Sequence, residues 1–267
     1  TLLFSNGGPV HPPFIRTDHV HQVAPCYYEE ALRAGEPAAK HHFVPYGIDM
    51  IAAPSAVSIE AHRSVRQKRG LPLDRKIILS VGWVRRLHKR MDYVIEEVAR
   101  LPWPRPFLQI LGAMDEGSAE IIALGERLLG KNGFGARSVS HSKLFEYYQA
   151  ADCFVLASIG EGFGRVYLEA LMHGLPVIAH RNPVTQFVLG PHGILDDLGV
   201  PGVLEGLLNA ELSKQPELNV ARSRWQTVRD RFSWPVLAPG YRSMFHACAV
   251  ESGYVEPSVA GTHFATW

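Results

Sequence analysis

The sequence predicts an α/β fold, a parallel sheet with helices on both faces, and three observations carry that expectation. Residues 151–180, ADCFVLASIGEGFGRVYLEALMHGLPVIAH, pass from a short apolar run through a glycine-dense turn into helical apolar spacing, stopped by Gly174 and Pro176. A second apolar run follows at once, so the stretch is a βαβ unit whose right-handed crossover leaves the turn at the carboxyl edge of the sheet. Upstream, residues 76–81 (KIILSV) have the near-continuous apolar character of a strand buried on both faces. Residues 107–112 form a further strand, and helical patterns separate these runs, which is the alternation of a parallel sheet.

The elements follow in order. Residues 2–4 are a strand already under way at the first residue, and Ser5, Asn6, Gly7, Gly8 and Pro9 make a turn. Asp18, His19 and His21 crowd within TDHVHQV. On a strand, alternation places the two histidines on one face, which admits a metal site or, with no third ligand evident, a polar strand edge or cleft wall. Residues 27–34 are a helix closed by Gly35, and 42–45 a strand running into Tyr46, Gly47, Ile48 and Asp49. A charged helix, 58–69, ends at Gly70 and Pro72 and precedes the 76–81 strand. The loop GWVRRLHKR, from Gly82 to Arg90, opens the next helix. Residues 125–131 imitate a phosphate-binding loop, but Asn132 stands where Ser or Thr is required and the run ends a helix, so it is a C-cap. A strand ends near Val139, and in the 141–150 helix Tyr147 and Tyr148 have a packing role. Beyond the central unit come a helix at 184–189, a strand at 193–195, helices at 201–208, 219–231 and 235–249, and a polar tail, 251–267, expected to be loosely ordered.

Chemistry concentrates at the turn of the central unit. Glu161 precedes its helix and Glu169 lies inside it, about two turns up, so the two carboxylates reach different parts of a ligand. Between them Gly162 and Gly164 permit close backbone approach, and the free N–H groups at the helix start attract an anion. An anion at the centre with hydroxyl-bearing groups at either end describes a sugar nucleotide.

At these residues the chain resembles the retaining GT-B glycosyltransferases of the GT4 family (glycosyl transferases group 1), whose signature is a Glu, seven residues and a Glu. Here that text is EGFGRVYLE, Glu161 to Glu169, followed by ALMHGLPVIA. The resemblance implies a Rossmann-like donor-binding domain over 49–235. It also implies a partial second α/β domain at the N-terminus, a remnant of the acceptor side over 1–48, and a terminal helix and tail over 236–267. Lys89 and an arginine would clamp the donor diphosphate; Trp83 stands where that arginine usually does, so Arg86 is the preferred substitute and Arg85 the next. Glu161, Lys89 and Arg86 would be the catalytic groups, with Glu161 on the hexose hydroxyls. Gly82, Arg85, Gly112, Gly162, Phe163, Gly164, Arg165, Val166 and Glu169 would bind the donor, Glu169 through the ribose, while Arg90 is expected to be a solvated charge.

The implied reaction moves a hexose from a nucleoside diphosphate sugar to a hydroxyl of a saccharide, lipid-linked or small-molecule acceptor, with retention. No cofactor or metal is expected, in keeping with the absence of Asp-x-Asp. Family members carry about a hundred further N-terminal residues, so a chain starting at Thr1 is expected to be a fragment that binds donor and transfers poorly. Peripheral membrane association would come through the rest of that N-terminal domain. The alternatives are a sugar-nucleotide epimerase of the same fold and a non-catalytic binding remnant.

Composition sets limits. In 267 residues, 27 Lys and Arg against 26 Asp and Glu leave a net charge of +1, which argues against a generalised nucleic-acid partner. Cys26, Cys153 and Cys248 are odd in number and widely spaced, as reduced thiols of a cytoplasmic protein are.

Overall fold

The computed structural model describes residues 1–8 and 10–251; the predicted loose tail lies almost wholly outside them. Two parallel sheets result. Strands β1 (Leu3–Asn6), β2 (His19–Gln22) and β3 (His41–Phe43) pair in the order β1-β2-β3, with helix α1 (Pro25–Arg33) between β2 and β3. Helix α2 (Ala56–Arg69) then leads into β4 (Ile77–Val81), α3 (Met91–Arg100), β5 (Phe107–Leu111), α4 (Ser118–Leu129), β6 (Phe134–Arg137) and α5 (His141–Ala150). The second half runs β7 (Cys153–Leu156), α6 (Arg165–Met172), β8 (Val177–His180), α7 (Pro183–Leu189), β9 (Gly193–Asp196), α8 (Val203–Leu212), α9 (Leu218–Phe232) and α10 (Trp234–Glu251).

The larger sheet has the all-parallel order β6-β5-β4-β7-β8-β9. Renumbered from its first strand this is 3-2-1-4-5-6, the doubly wound order whose direction reverses between β4 and β7. The central strands are buried along their whole length, as their apolar text requires. At the amino ends of β4 and β7, Asp152 accepts from the Ile77 N–H at 2.7 Å and from Arg66 of α2 at 2.6 Å; the same guanidinium donates to the carbonyls of Ala150 and Arg75. Three hydrogen bonds from Arg66, one of them the ion pair with Asp152, thus pin α2 to the sheet.

The N-terminal sheet differs from expectation. It has three strands, and His19 and His21 sit on its central strand, fully buried, so they mark neither a polar edge nor a solvent-facing surface. Strand β1 is the edge, with only Asn6 buried. His21 bonds Ser5 Oγ at 3.0 Å and the Val44 carbonyl at 2.6 Å, and burial pushes its pKa down, which keeps the ring neutral.

The chain crosses between the sheets twice. Ile48 donates to the Phe232 carbonyl at 2.9 Å and Trp225 Nε1 to the Ile51 carbonyl at 2.9 Å. Helix α10 returns over the smaller sheet, where the Tyr241 hydroxyl donates to Pro45 and its ring meets His21 edge-on. An aromatic seam of Phe43, Tyr46, Phe163, Phe187 and Phe232 fills the junction, with ring centroids 5.4–6.0 Å apart. Among the described residues no helix is long and apolar enough to cross a membrane.

Candidate active site

The loops after β4 and β7 flank the point where the strand order reverses, at the carboxyl edge, and they bring Lys89 and Glu161 together. Lys89 Nζ donates to Glu161 Oε1, with both side chains largely buried. The methylene stem of Lys89 lies across Gly82: a Cβ there would be 3.1 Å from Lys89 Cδ. Gly82 is itself pressed on Gly112 at the end of β5, where a Cβ would stand 1.7 Å from the Gly82 carbonyl oxygen. These two glycines let adjacent strand ends approach closely enough to seat the lysine.

On the other side, Gly164 adopts a left-handed conformation (φ 77°) as the N-cap of α6. Helix α6 therefore starts with the first-turn N–H groups of Arg165 and Val166 lacking intrahelical acceptors, next to Glu161. Glu169, one turn into α6, is buried between polar partners: the Tyr148 hydroxyl donates to Glu169 Oε2 at 2.8 Å, and His141 Nε2 lies 3.6 Å from Oε1. Burial, reinforced by the Glu169 charge, drives the Tyr148 pKa well up, so this phenol stays a donor. His173 stacks on Tyr148 at 5.3 Å and bonds the Glu169 carbonyl through Nδ1 at 2.8 Å, and burial lowers its pKa to about 4.

Several expected site residues are placed otherwise. Arg86 is exposed and paired with Asp92 of α3 at 3.3 Å, so the fold brings it to the rim and not to the Lys89–Glu161 pair. Arg85 stacks its guanidinium 3.8 Å from the Trp83 ring centroid, and its Nε is buried with no hydrogen-bond partner among the described residues. Arg90 is not a solvated charge: it donates to the Leu198 carbonyl at 2.5 Å and lies over Tyr93. The Phe163 side chain is 2 % exposed within the aromatic seam, which leaves only its backbone for a ligand. Gly162 packs against the N-terminal sheet, since a Cβ there would lie 2.1 Å from the Gly7 carbonyl oxygen.

A groove of about 1540 Å³ opens at the opposite, amino edge, between Lys76, Asp152, Glu211 and Arg224. Doubly wound sheets, however, bind ligands at the carboxyl edge, where Lys89 and Glu161 meet. Topology and the paired charges outweigh cavity size here.

A family model described as glycosyl transferases group 1 matches residues 62–194, a span that holds Lys89, Glu161 and Glu169. The chain carries a glycosyl transferases group 1 (GT4) domain. It is 31 % identical over 202 residues to D-inositol 3-phosphate glycosyltransferase of Xylanimonas cellulosilytica, which covers 72 % of this chain and 48 % of that protein. The chain thus spans about half the length of this relative. Among solved structures it is similar to sucrose-phosphate synthase from Thermosynechococcus elongatus, with a TM-score of 0.73, 24 % identity and coverage of 88 % of this chain and 59 % of that one. It is also similar to Anabaena HepE in complex with UDP and glucose, with a TM-score of 0.72, 19 % identity and coverage of 88 % and 64 %. At these identities the likeness concerns the fold, which is that of GT-B glycosyltransferases.

Around the site of this GT4 domain, two participants escaped sequence reasoning. Tyr148, read as packing, orients Glu169, and Tyr27 of α1 donates its hydroxyl to the Glu161 carbonyl at 2.8 Å across 134 positions of sequence. The first was detectable in principle: a tyrosine on the buried face of a helix needs an acceptor, and the chain that follows holds two buried carboxylates, Glu161 and Glu169. The second is a contact between distant segments and left no local signal.

Proposed function

We propose that the site binds a nucleoside diphosphate sugar and transfers its hexose to a hydroxyl acceptor with retention at the anomeric carbon. The observation that carries this reading is the convergence, at the reversal point of a GT4 domain's sheet, of one cation, two carboxylates and a helix N-terminus. Lys89 and the α6 N–H groups face the diphosphate, Glu161 the hexose hydroxyls, and Glu169, held by Tyr148, the ribose. Breaking the glycosyl–phosphate bond puts charge on the departing diphosphate, and a fixed cation beside a helix N-terminus stabilises that charge more in the transition state than in the ground state. Arg85, whose buried Nε has no hydrogen-bond partner among the described residues, supports the clamp better than the exposed Arg86.

We further propose that transfer needs no divalent metal: Lys89 stands where the leaving charge develops, and the sequence has no Asp-x-Asp. Cys26, Cys153 and Cys248, which form no disulfide among the described residues, suit a reducing, cytoplasmic setting. UDP-glucose, which Anabaena HepE binds, is the first donor to test. Incubation of donor with a panel of saccharide, lipid-linked and small-alcohol acceptors, with and without chelator, should give a product of retained anomeric configuration by NMR. A product of inverted configuration, or free epimerised sugar without transfer, would contradict this reading.

A further inference from the structure

The face of the N-terminal sheet covered by α10 collects three metal-ligating side chains. His19 and His21 project to one face of β2, and the parallel register sets His42 of β3 opposite His21, hence on that same face. His21 is committed to Ser5 and Val44 and packs on Tyr241 of α10. Cys248 follows Tyr241 by two helical turns, on the same side of α10, and meets the other two histidines. One ligand atom from each of His19, His42 and Cys248 lies within 4.8 Å of the others. His19 Nδ1 and His42 Nε2 are 3.0 Å apart and the rings 5.1 Å between centroids.

We propose that His19, His42 and Cys248 bind a borderline-soft divalent transition metal, zinc in the first instance, which fastens α10 to β2 and β3. Two imidazoles and a thiolate are a zinc-type donor set; calcium and magnesium require oxygen. Two nitrogens bound tetrahedrally to zinc stand about 3.3 Å apart, so the observed pair needs only a small outward shift. Binding forms two Zn–N bonds and one Zn–S bond and releases the Cys248 thiol proton to solvent, while a water or another ligand takes the fourth position. The sequence suggested His19 with His21; the fold substitutes His42 and a cysteine from the far end of the chain. Because only the folded chain assembles these three ligands, the metal stabilises it by mass action.

Chelator-treated protein is titrated with Co²⁺ and Zn²⁺ under reducing conditions. One Co²⁺ per chain should bind with a thiolate charge-transfer band that vanishes in Cys248→Ser and survives in Cys26→Ser. Zn²⁺ should raise the unfolding temperature of the wild type and of Cys26→Ser but not of Cys248→Ser, and His42→Gln should weaken Zn²⁺ binding by at least about tenfold. Absence of the band in the wild type, or its persistence in a Cys248→Ser protein whose far-UV circular dichroism is native, would overturn the proposal and leave a metal-free hydrogen-bonded cluster.

Discussion

Glu161 meets Lys89, and a diphosphate bound as proposed would compete with Glu161 for that cation. Glu161→Ala should therefore weaken binding of the intact sugar nucleotide while the bare nucleoside diphosphate binds as well as before or more tightly. Equal losses for both ligands, measured by calorimetry, would place Glu161 elsewhere. Glu169→Gln should cost about 1.5–3 kcal/mol of nucleoside diphosphate affinity through a lost charged hydrogen bond. Tyr148→Phe should cost part of the same energy, because its only change is the hydroxyl that aims Glu169, and the double variant should be less than additive. The two glutamates were legible because Glu161 stands in the glycine turn just before the Gly164 cap and Glu169 one turn into the helix that follows. Choosing between Arg85 and Arg86 was not, since neighbouring residues in an irregular loop point in directions that only the packing of Trp83 and Asp92 decides.

At the scale of elements, strand and helix text gave the βαβ alternation, because burial on both faces imposes apolar runs that survive any change of neighbours. The interior role of Arg90 and the central position of β2 were hidden, as each depends on partners at least sixteen residues away. Two couplings between elements are testable. Arg66→Ala removes the guanidinium that joins α2 to Asp152, leaving a carboxylate half-enclosed, and should lower stability by about 3 kcal/mol in urea denaturation. His173 is neutral when folded, with a pKa near 4 against an ordinary 6.5. Below pH 6.5 the unfolded chain binds the extra proton and the folded chain does not, so stability is complete above that pH and falls as pH drops toward 4. The loss approaches about 3 kcal/mol at the lower limit. His173→Phe, which keeps the stacking on Tyr148, should flatten the difference between denaturation midpoints at pH 7 and pH 5.

For the whole molecule, the three-stranded sheet and its loops support the proposed donor site: Gly7 abuts Gly162, Tyr27 bonds the Glu161 carbonyl, and Tyr46 packs on Phe163. None of this was visible along the sequence, because a contact between sheets has no period. Gly162→Ala drives a methyl group into the Gly7 carbonyl and should destabilise the chain by about 1–3 kcal/mol while weakening sugar-nucleotide binding. The most direct test of the site as a whole is calorimetric titration of uridine, guanosine and adenosine nucleotides, each as the monophosphate, the diphosphate and the diphosphate-glucose conjugate, into the wild type and Lys89→Ala. One base should give binding in the order sugar nucleotide, diphosphate, monophosphate, and Lys89→Ala should collapse the preference for two phosphates over one. Binding whose diphosphate-to-monophosphate ratio is indifferent to Lys89, or no binding to any of the nine ligands, would contradict a donor site at the carboxyl edge.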